Sequence, residues 1–242
     1  MLRGKWPANI IAQMSQPINA KRRAGERAVE LVEDGMTLGL GTGSTAYWAV
    51  ERLGERVRAE GLRVRCVPTS RRTEEQARGL GLPLVTFADV QELDLTIDGA
   101  DEIGPGLALV KGGGGALLRE KLVAAASRRM VVVADASKRV ARLGRFPLPV
   151  EVVPFAWEVT ARRVAGVTNC RPAPRAGDGG GLYVTDNANY VLDCPCGVIA
   201  DPAALERELK LIPGVVESGL FVGLASRAFV ATDTGEVEII EA

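Results

Sequence analysis

From about Lys21 to residue 140 short apolar runs take turns with amphipathic stretches, and this alternation restricts the fold more than any other feature. "MTLGLG", "LRVRCVPTS", "LPLVTF", "LDLTIDGADEI" and "MVVVAD" read as strands. Around them "KRRAGERAVELVED", the stretch after the glycine loop "GTGST" to about Arg58, "RTEEQARGLG" and the stretch after Gly115 to about Ser127 read as helices. "MVVVAD" is a continuous β-branched run of the kind that parallel sheets bury on both faces. In "LDLTIDGADEI", Leu93, Leu95 and Ile97 alternate with Asp94, Thr96 and Asp98, the period of a strand with one face buried. Strand and helix in regular alternation imply an α/β fold with a doubly wound, mostly parallel, Rossmann-like sheet.

Past "FPLPVEVVP" the texture changes. "RPAPRAGDGGG" reads as an exposed loop, "LYVTDNANYVLDC" as a hairpin turning near Asn187-Ala188, and "DPAALERELKLIPG" as an amphipathic helix with a glycine stop. "RAFVAT" and "EVEII" are strands placed to rejoin the first sheet. The expected organisation is a disordered leader over 1–19, a Rossmann-like catalytic domain over 20–147 plus 222–242, and a smaller α+β domain over 148–221.

Composition removes several function classes. The 242 residues are 47% hydrophobic, enough for a substantial core, and thirty basic residues balance thirty acidic ones. Nothing here forms the basic footprint of a nucleic-acid binder or of a protein held at an anionic membrane surface. No apolar run reaches the ~18–20 residues a membrane-spanning helix needs. The first acidic residue is Glu26, but "PANIIAQMSQP" is too polar for a signal-peptide core, so the leader is expected to be disordered rather than targeting. Cys66, Cys170, Cys194 and Cys196 are few and irregularly spaced, which fits a reduced, cytoplasmic setting. The chain has no histidine at all, which excludes Ser-His-Asp and Cys-His machinery and His-ligated zinc. Acid/base work must fall to carboxylates, lysine, tyrosine or cysteine.

Ligands of open α/β sheets bind outside the carboxyl ends of the strands, and four polar clusters fall there. "GLGTGST" presents backbone N–H groups with the Ser44 and Thr45 hydroxyls at a helix start, suited to a phosphate; a tight turn serving packing alone is the alternative. It lacks the third glycine and the downstream acidic residue of a dinucleotide fingerprint, and no G-K-[ST] makes it a P-loop. Asp98, Asp101 and Glu102 could hold magnesium, move protons, grip sugar hydroxyls, or cap a solvated turn. Lys111 precedes four glycines, a costly run unless backbone must approach something closely. Glu120 follows on a helix, on a face with the small residues Ala116, Ala124 and Ser127, while Leu118, Leu122 and Ala125 are expected to meet the sheet. None of its i±3 or i±4 neighbours is basic, so an intrahelical salt bridge fails for it. Lys138 closes "ADASK" after the most apolar strand, a solvated lysine or an anion contact. Together the inventory suits proton abstraction beside a carbonyl on a phosphorylated polyol, with lysine or backbone donors holding the oxyanion.

"GTGST", "TIDGADEI", "KGGGGALLREK", "ADASK", "FPLPVEV" and "IPGVVESGLF" occur in the order and spacing of the type A ribose-5-phosphate isomerases, and the chain resembles that family over about 20–242. The resemblance implies interconversion of ribose 5-phosphate and ribulose 5-phosphate without metal or organic cofactor, in a homodimer or a larger assembly such as a homotetramer, with the small domain at the oligomer interface. It implies Glu120 as the base that shuttles a proton between C1 and C2, Asp98 in opening the furanose, and Lys111 in stabilising the enediolate oxygen. It matches Thr42, Gly43, Ser44 and Thr45, Asp98, Gly99, Ala100 and Asp101, Lys111, Gly112, Gly113 and Gly114, with Lys138 and Lys21, to substrate-binding positions. Ala188 departs from the family's pattern, standing where "TDNGN" has glycine.

The rival readings are weaker. Glucosamine-6-phosphate deaminases rely on a histidine this chain lacks, and a magnesium-dependent phosphotransferase built on Asp98, Asp101 and Glu102 would need a nucleotide site. A non-catalytic sugar-phosphate sensor would need a DNA-reading module that a leader of about 20 residues does not supply.

Overall fold

A computed structural model describes residues 20–232 and 234–242, so the expected leader over 1–19 lies outside the described residues. The elements follow in chain order as α1 (Ala20–Val29), β1 (Thr37–Leu40), α2 (Ala46–Glu60), β2 (Arg65–Pro68), α3 (Arg71–Gly79), β3 (Leu95–Gly99), β4 (Glu102–Ile103), β5 (Leu109–Val110), α4 (Leu117–Ala125) and β6 (Met130–Asp135). Then come β7 (Leu148–Val152), α5 (Trp157–Thr168), β8 (Ala173–Pro174), β9 (Tyr190–Cys194), α6 (Pro202–Lys210), β10 (Val215–Ser218), β11 (Leu220–Phe221), β12 (Ala225–Ala231) and β13 (Val237–Glu241). The chain divides into two compact units, one of the described residues up to Gly99 with Arg119–Lys138 and Leu224–Ala242, the other of Ala100–Leu118 and Arg139–Gly223. The second unit therefore begins before Leu148 and also takes in the stretch from Ala100 to Leu118.

The first unit holds a six-stranded sheet in the order β13-β12-β6-β3-β1-β2. Every neighbouring pair is parallel except β12 with β13. This is the doubly wound, mostly parallel sheet the alternation requires, with the two tail strands rejoining it beside β6. On one face α1 and α2 pack over Leu38, Leu40, Leu95, Ile97, Val131, Val133 and Phe229. On the other, Val123 of α4 joins Val67, Val90 and Leu93.

Three expectations change here. "LPLVTF" makes only an isolated bridge between Leu84 and Cys66, because Pro83 has no N–H and Thr86 enters a turn held by Asp89. The strand in "LDLTIDGADEI" is buried on both faces, Thr96 and Asp98 as completely as Leu95, since α4 covers its second side. On α4 the inward residues are Leu117, Glu120, Val123 and Ala124, whereas Leu122 is 58% exposed.

The second unit holds a four-stranded antiparallel sheet, β10-β7-β9-β8, and a three-stranded one, β11-β5-β4. Its core runs through Val110, Leu148, Val150, Val164, Leu192, Leu209 and Leu220. The "TDNAN" turn forms as expected, with Ala188 at φ 62°. Glu151 is fully buried on β7, and its Oε1 accepts from Thr185 Oγ1 and Asn189 Nδ2, both at 2.9 Å, tying the turn to the sheet. α5 was not legible from the residue pattern, and "RPAPRAGDGGG" is only partly an exposed loop, because it contributes β8 and Arg175, whose side chain is largely buried.

Candidate active site

In the first unit the polar groups stand at the carboxyl ends of β1, β3 and β6 and on α4. Leu95 and Ile97 face the core under α1 and α2, so Thr96 and Asp98, at the alternate positions, face the α4 side. Thr96 Oγ1 and Ser127 Oγ, 2.6 Å apart, tie that strand to the chain just beyond α4. Because α4 leads back into β6, parallel to β3, the helix runs opposite to the strands. Glu120 stands seven residues before Ser127, a helical rise of roughly 10 Å. Asp98 lies two residues past Thr96, roughly 7 Å along the strand. Both carboxylates thus reach the carboxyl edge on one face of the sheet, Asp98 with no exposure and Glu120 with 4%. Glu120 also occupies the first turn of α4, where the helix dipole favours a negative charge.

Asp98 organises the turn after β1. Its Oδ1 accepts from the backbone N–H groups of Thr42 at 3.0 Å and Gly99 at 2.7 Å. The Thr42 hydroxyl lies 2.7–3.0 Å from those of Thr69, Ser70 and Thr73. Both polar groups of Thr42 are thereby used inside the protein, and the turn is shaped by a hydroxyl cluster that sequence reasoning missed. Its signal was present in "PTSRRT", three hydroxyl residues around the start of α3. Gly43 has φ 130°, and Thr45 is the residue before α2, with no side-chain cap of its own.

Ser44 meets a lysine. Lys21 Nζ on α1 donates to Ser44 Oγ at 3.1 Å and lies 4.0 Å from Asp135 Oδ2 at the end of β6. Burial pushes the Lys21 ammonium below its ordinary pKa; Asp135 opposes that shift and Lys138, in the turn Ala136–Lys138, adds to it. The first unit therefore brings together Lys21, Thr42, Ser44, Asp98 and Gly99, with Lys138 close enough to Lys21 to be felt electrostatically.

In the second unit Lys111 is buried to 2% exposure, its Nζ 5.4 Å from the centre of the Phe221 ring and its backbone N–H on Gly219 O at 2.8 Å. Ala100 is half-buried; Asp101 next to it accepts the Gly113 N–H on Oδ2 at 2.7 Å. A Cβ at Gly113 would sit 2.6 Å from Asp101 Oδ1, so any larger residue there would displace that carboxylate. Gly112 has φ 100° and its carbonyl accepts the Gly115 N–H at 2.9 Å, so the run is a defined turn rather than a spacer. Glu102 is fully buried, with its two oxygens on the N–H groups of Gly144 and Phe146 at 2.6 and 2.7 Å. That carboxylate serves the fold and leaves the phosphotransferase reading without its third acid. Among the described residues no group of three or more His, Cys, Asp or Glu side chains is placed to hold a metal ion.

A doubly wound sheet with two carboxylates and a lysine-backed hydroxyl turn at its strand ends has the build of an α/β enzyme for a small anionic substrate. The model of the family "Ribose 5-phosphate isomerase A (phosphoriboisomerase A)" matches residues 65–235. A ribose-5-phosphate isomerase A of Bacillus cereus is 53% identical over 224 residues, 92% of this chain and 100% of that protein. The solved ribose 5-phosphate isomerase A of Methanocaldococcus jannaschii is 40% identical, with a TM-score of 0.87 over 92% of this chain and 98% of that one. A D-ribose-5-phosphate isomerase solved in complex with phospho-erythronic acid is 34% identical, with a TM-score of 0.88 over 96% of this chain and 99% of that one. The chain belongs to the ribose 5-phosphate isomerase A family.

Proposed function

We propose that Glu120 is the base with which this isomerase interconverts D-ribose 5-phosphate and D-ribulose 5-phosphate, in the non-oxidative pentose phosphate pathway. Asp98 assists opening of the furanose. Glu120 then takes the C2 proton of the open-chain aldose, and the electron pair moves through C1 to its carbonyl oxygen, giving an enediolate. Lys111 supplies the positive charge for that oxygen. Return of the proton to C1, with transfer of the C2 hydroxyl proton to the C1 oxygen, yields the ketose and leaves the enzyme as it began. Ser44 and Thr45 with Lys21 and Lys138 provide hydroxyl and cationic groups for the phosphate, while Thr42 and Asp98 hold the shape of that turn.

The observation that carries this reading is the arrival of Asp98 and Glu120, both buried, at the carboxyl edge on one face of one sheet. Burial removes water from a base whose task is to hand a proton from one carbon to the next. Purified protein incubated with ribose 5-phosphate and EDTA is expected to form ribulose 5-phosphate. Glu120→Gln should lower kcat by about 10²–10⁴-fold, the usual share of general base catalysis. Wild-type turnover by that variant, or loss of turnover on chelation, would overturn the mechanism. The assembly proposed is a cytoplasmic homodimer, with a homotetramer as the alternative, to be decided by sedimentation.

A further inference from the structure

Arg175 follows β8 inside "RPAPRAGDGGG", yet its side chain is only 15% exposed. Its backbone is fixed at both ends, the N–H on Val191 O and the carbonyl receiving the Tyr183 N–H, each at 2.8 Å. Asp193 on β9 grips the guanidinium through two bonds, Nε to Oδ2 at 3.0 Å and a terminal nitrogen to Oδ1 at 2.5 Å. The other terminal nitrogen donates to the carbonyls of Gly112 at 2.9 Å and Gly113 at 3.2 Å. The guanidinium carbon lies 5.7 Å from the centre of the Tyr183 ring, and Tyr183 Oη reaches the Gly114 carbonyl at 3.4 Å. At Gly115, φ 78°, a Cβ would stand 2.2 Å from that hydroxyl.

We propose that Arg175, braced by Asp193 and Tyr183, is a positioning residue that fixes the peptide planes of Gly112–Gly114 in the conformation that meets the substrate; this rests on the reading of Lys111–Gly114 as a substrate cradle. A surface ion pair would leave the second terminal nitrogen to water. Here it is aimed at two successive carbonyls of the loop. A trans peptide sends the N–H of the next residue opposite to its carbonyl. Drawing the Gly112 carbonyl to Arg175 turns the Gly113 N–H toward Asp101, where it is found, and drawing the Gly113 carbonyl turns the Gly114 N–H away from the guanidinium. Together with the Gly115 N–H, which also holds the Gly112 carbonyl at 2.9 Å, one planar cation thus sets two consecutive peptide planes. A lysine cannot do the same, since a single nitrogen cannot hold a bidentate carboxylate and two carbonyls together.

The test compares full-length wild type with Arg175→Met, Arg175→Lys and Tyr183→Phe by calorimetric titration and steady-state kinetics. The probes are phospho-erythronic acid, which spans a substrate-sized chain, and inorganic phosphate, which does not. Arg175→Met should weaken phospho-erythronic acid and lower kcat/KM by about tenfold or more, as for loss of charge-assisted hydrogen bonds. Inorganic phosphate should stay within about twofold, a split that general destabilisation would not produce. Arg175→Lys should recover little, and Tyr183→Phe should show a smaller loss of the same kind. Equal losses for both probes, or wild-type behaviour in a folded Arg175→Met, would overturn the proposal; if that variant does not fold, wild-type behaviour in both other variants would do so. Lys111→Ala separates the two readings. Wild-type binding of phospho-erythronic acid by Lys111→Ala would end the cradle reading itself, whereas loss there with retention in Arg175→Met would end only the positioning role.

Discussion

Gly41 packs directly against Asp98 in the first unit. A Cβ on Gly41 would lie 2.2 Å from Asp98 Oδ1 and 2.5 Å from its Cα, so neither the carboxylate nor the strand could stay in place. Gly41→Ala is therefore expected to cost about 1–3 kcal/mol, the range for overpacking, and to remove most activity. Thermal melts and turnover measured side by side would check it; an active variant of wild-type stability would show that the turn can yield. Asp98 was legible as a candidate because "TIDGADEI" ends a strand signal in a carboxylate, and Glu120 because it follows the glycines on a helix with small residues on its face and no basic neighbour one turn away. Their common face was not, since it depends on which side of the sheet α4 covers. The expectation that Leu122 meets the sheet failed for a related reason. The helix spans nine residues with apolar side chains on several sides, so the burial of Val123 rather than Leu122 is settled by tertiary packing.

At the scale of elements, the parallel strands and their helices were readable because a buried β-branched run and a 3.6-residue stripe are distinct patterns. α5 escaped that reading. "WEVTARRVAGVT" carries five β-branched residues, which lower helix propensity, and its buried residues Thr160, Val164 and Thr168 form a stripe that only spacing by four reveals. The turn at "TDNAN" was readable, and its departure from the family pattern has a physical cost. Ala188 holds φ 62°, a region that a Cβ disfavours by about 1–2 kcal/mol. Ala188→Gly should raise stability by up to about 1 kcal/mol after the flexibility glycine adds to the unfolded chain. The midpoint of urea unfolding is the measurement, and a lower midpoint would mean the strain is already relieved.

For the whole molecule, the cysteines offer a reading of stability against pH. Burial pushes the Cys66 thiol up to about 12. Burial, with Cys170 as neighbour, pushes Cys196 to about 12 as well, against an ordinary value of 9.0 for each. Between about pH 9 and 12 the folded protein holds these protons while the unfolded chain releases them. Unfolding is then favoured as pH rises. Stability should be level below pH 9 in this respect and fall from there toward pH 12, and Cys66→Ala with Cys196→Ser should flatten that slope. An unchanged slope in the double variant would assign the fall to other groups.

The strand order β13-β12-β6-β3-β1-β2 has a consequence for biosynthesis. Most of this sheet leaves the ribosome early, but β12, which flanks β6, is made nearly last. Until then β6 is a bare edge of continuous apolar sequence, "MVVVAD", the kind of edge that recruits strands from other nascent chains. The residues of the second unit, through Gly223, are all synthesised before β12 begins. A message truncated near its end would thus yield a chain that has every proposed site residue and a permanently open sheet.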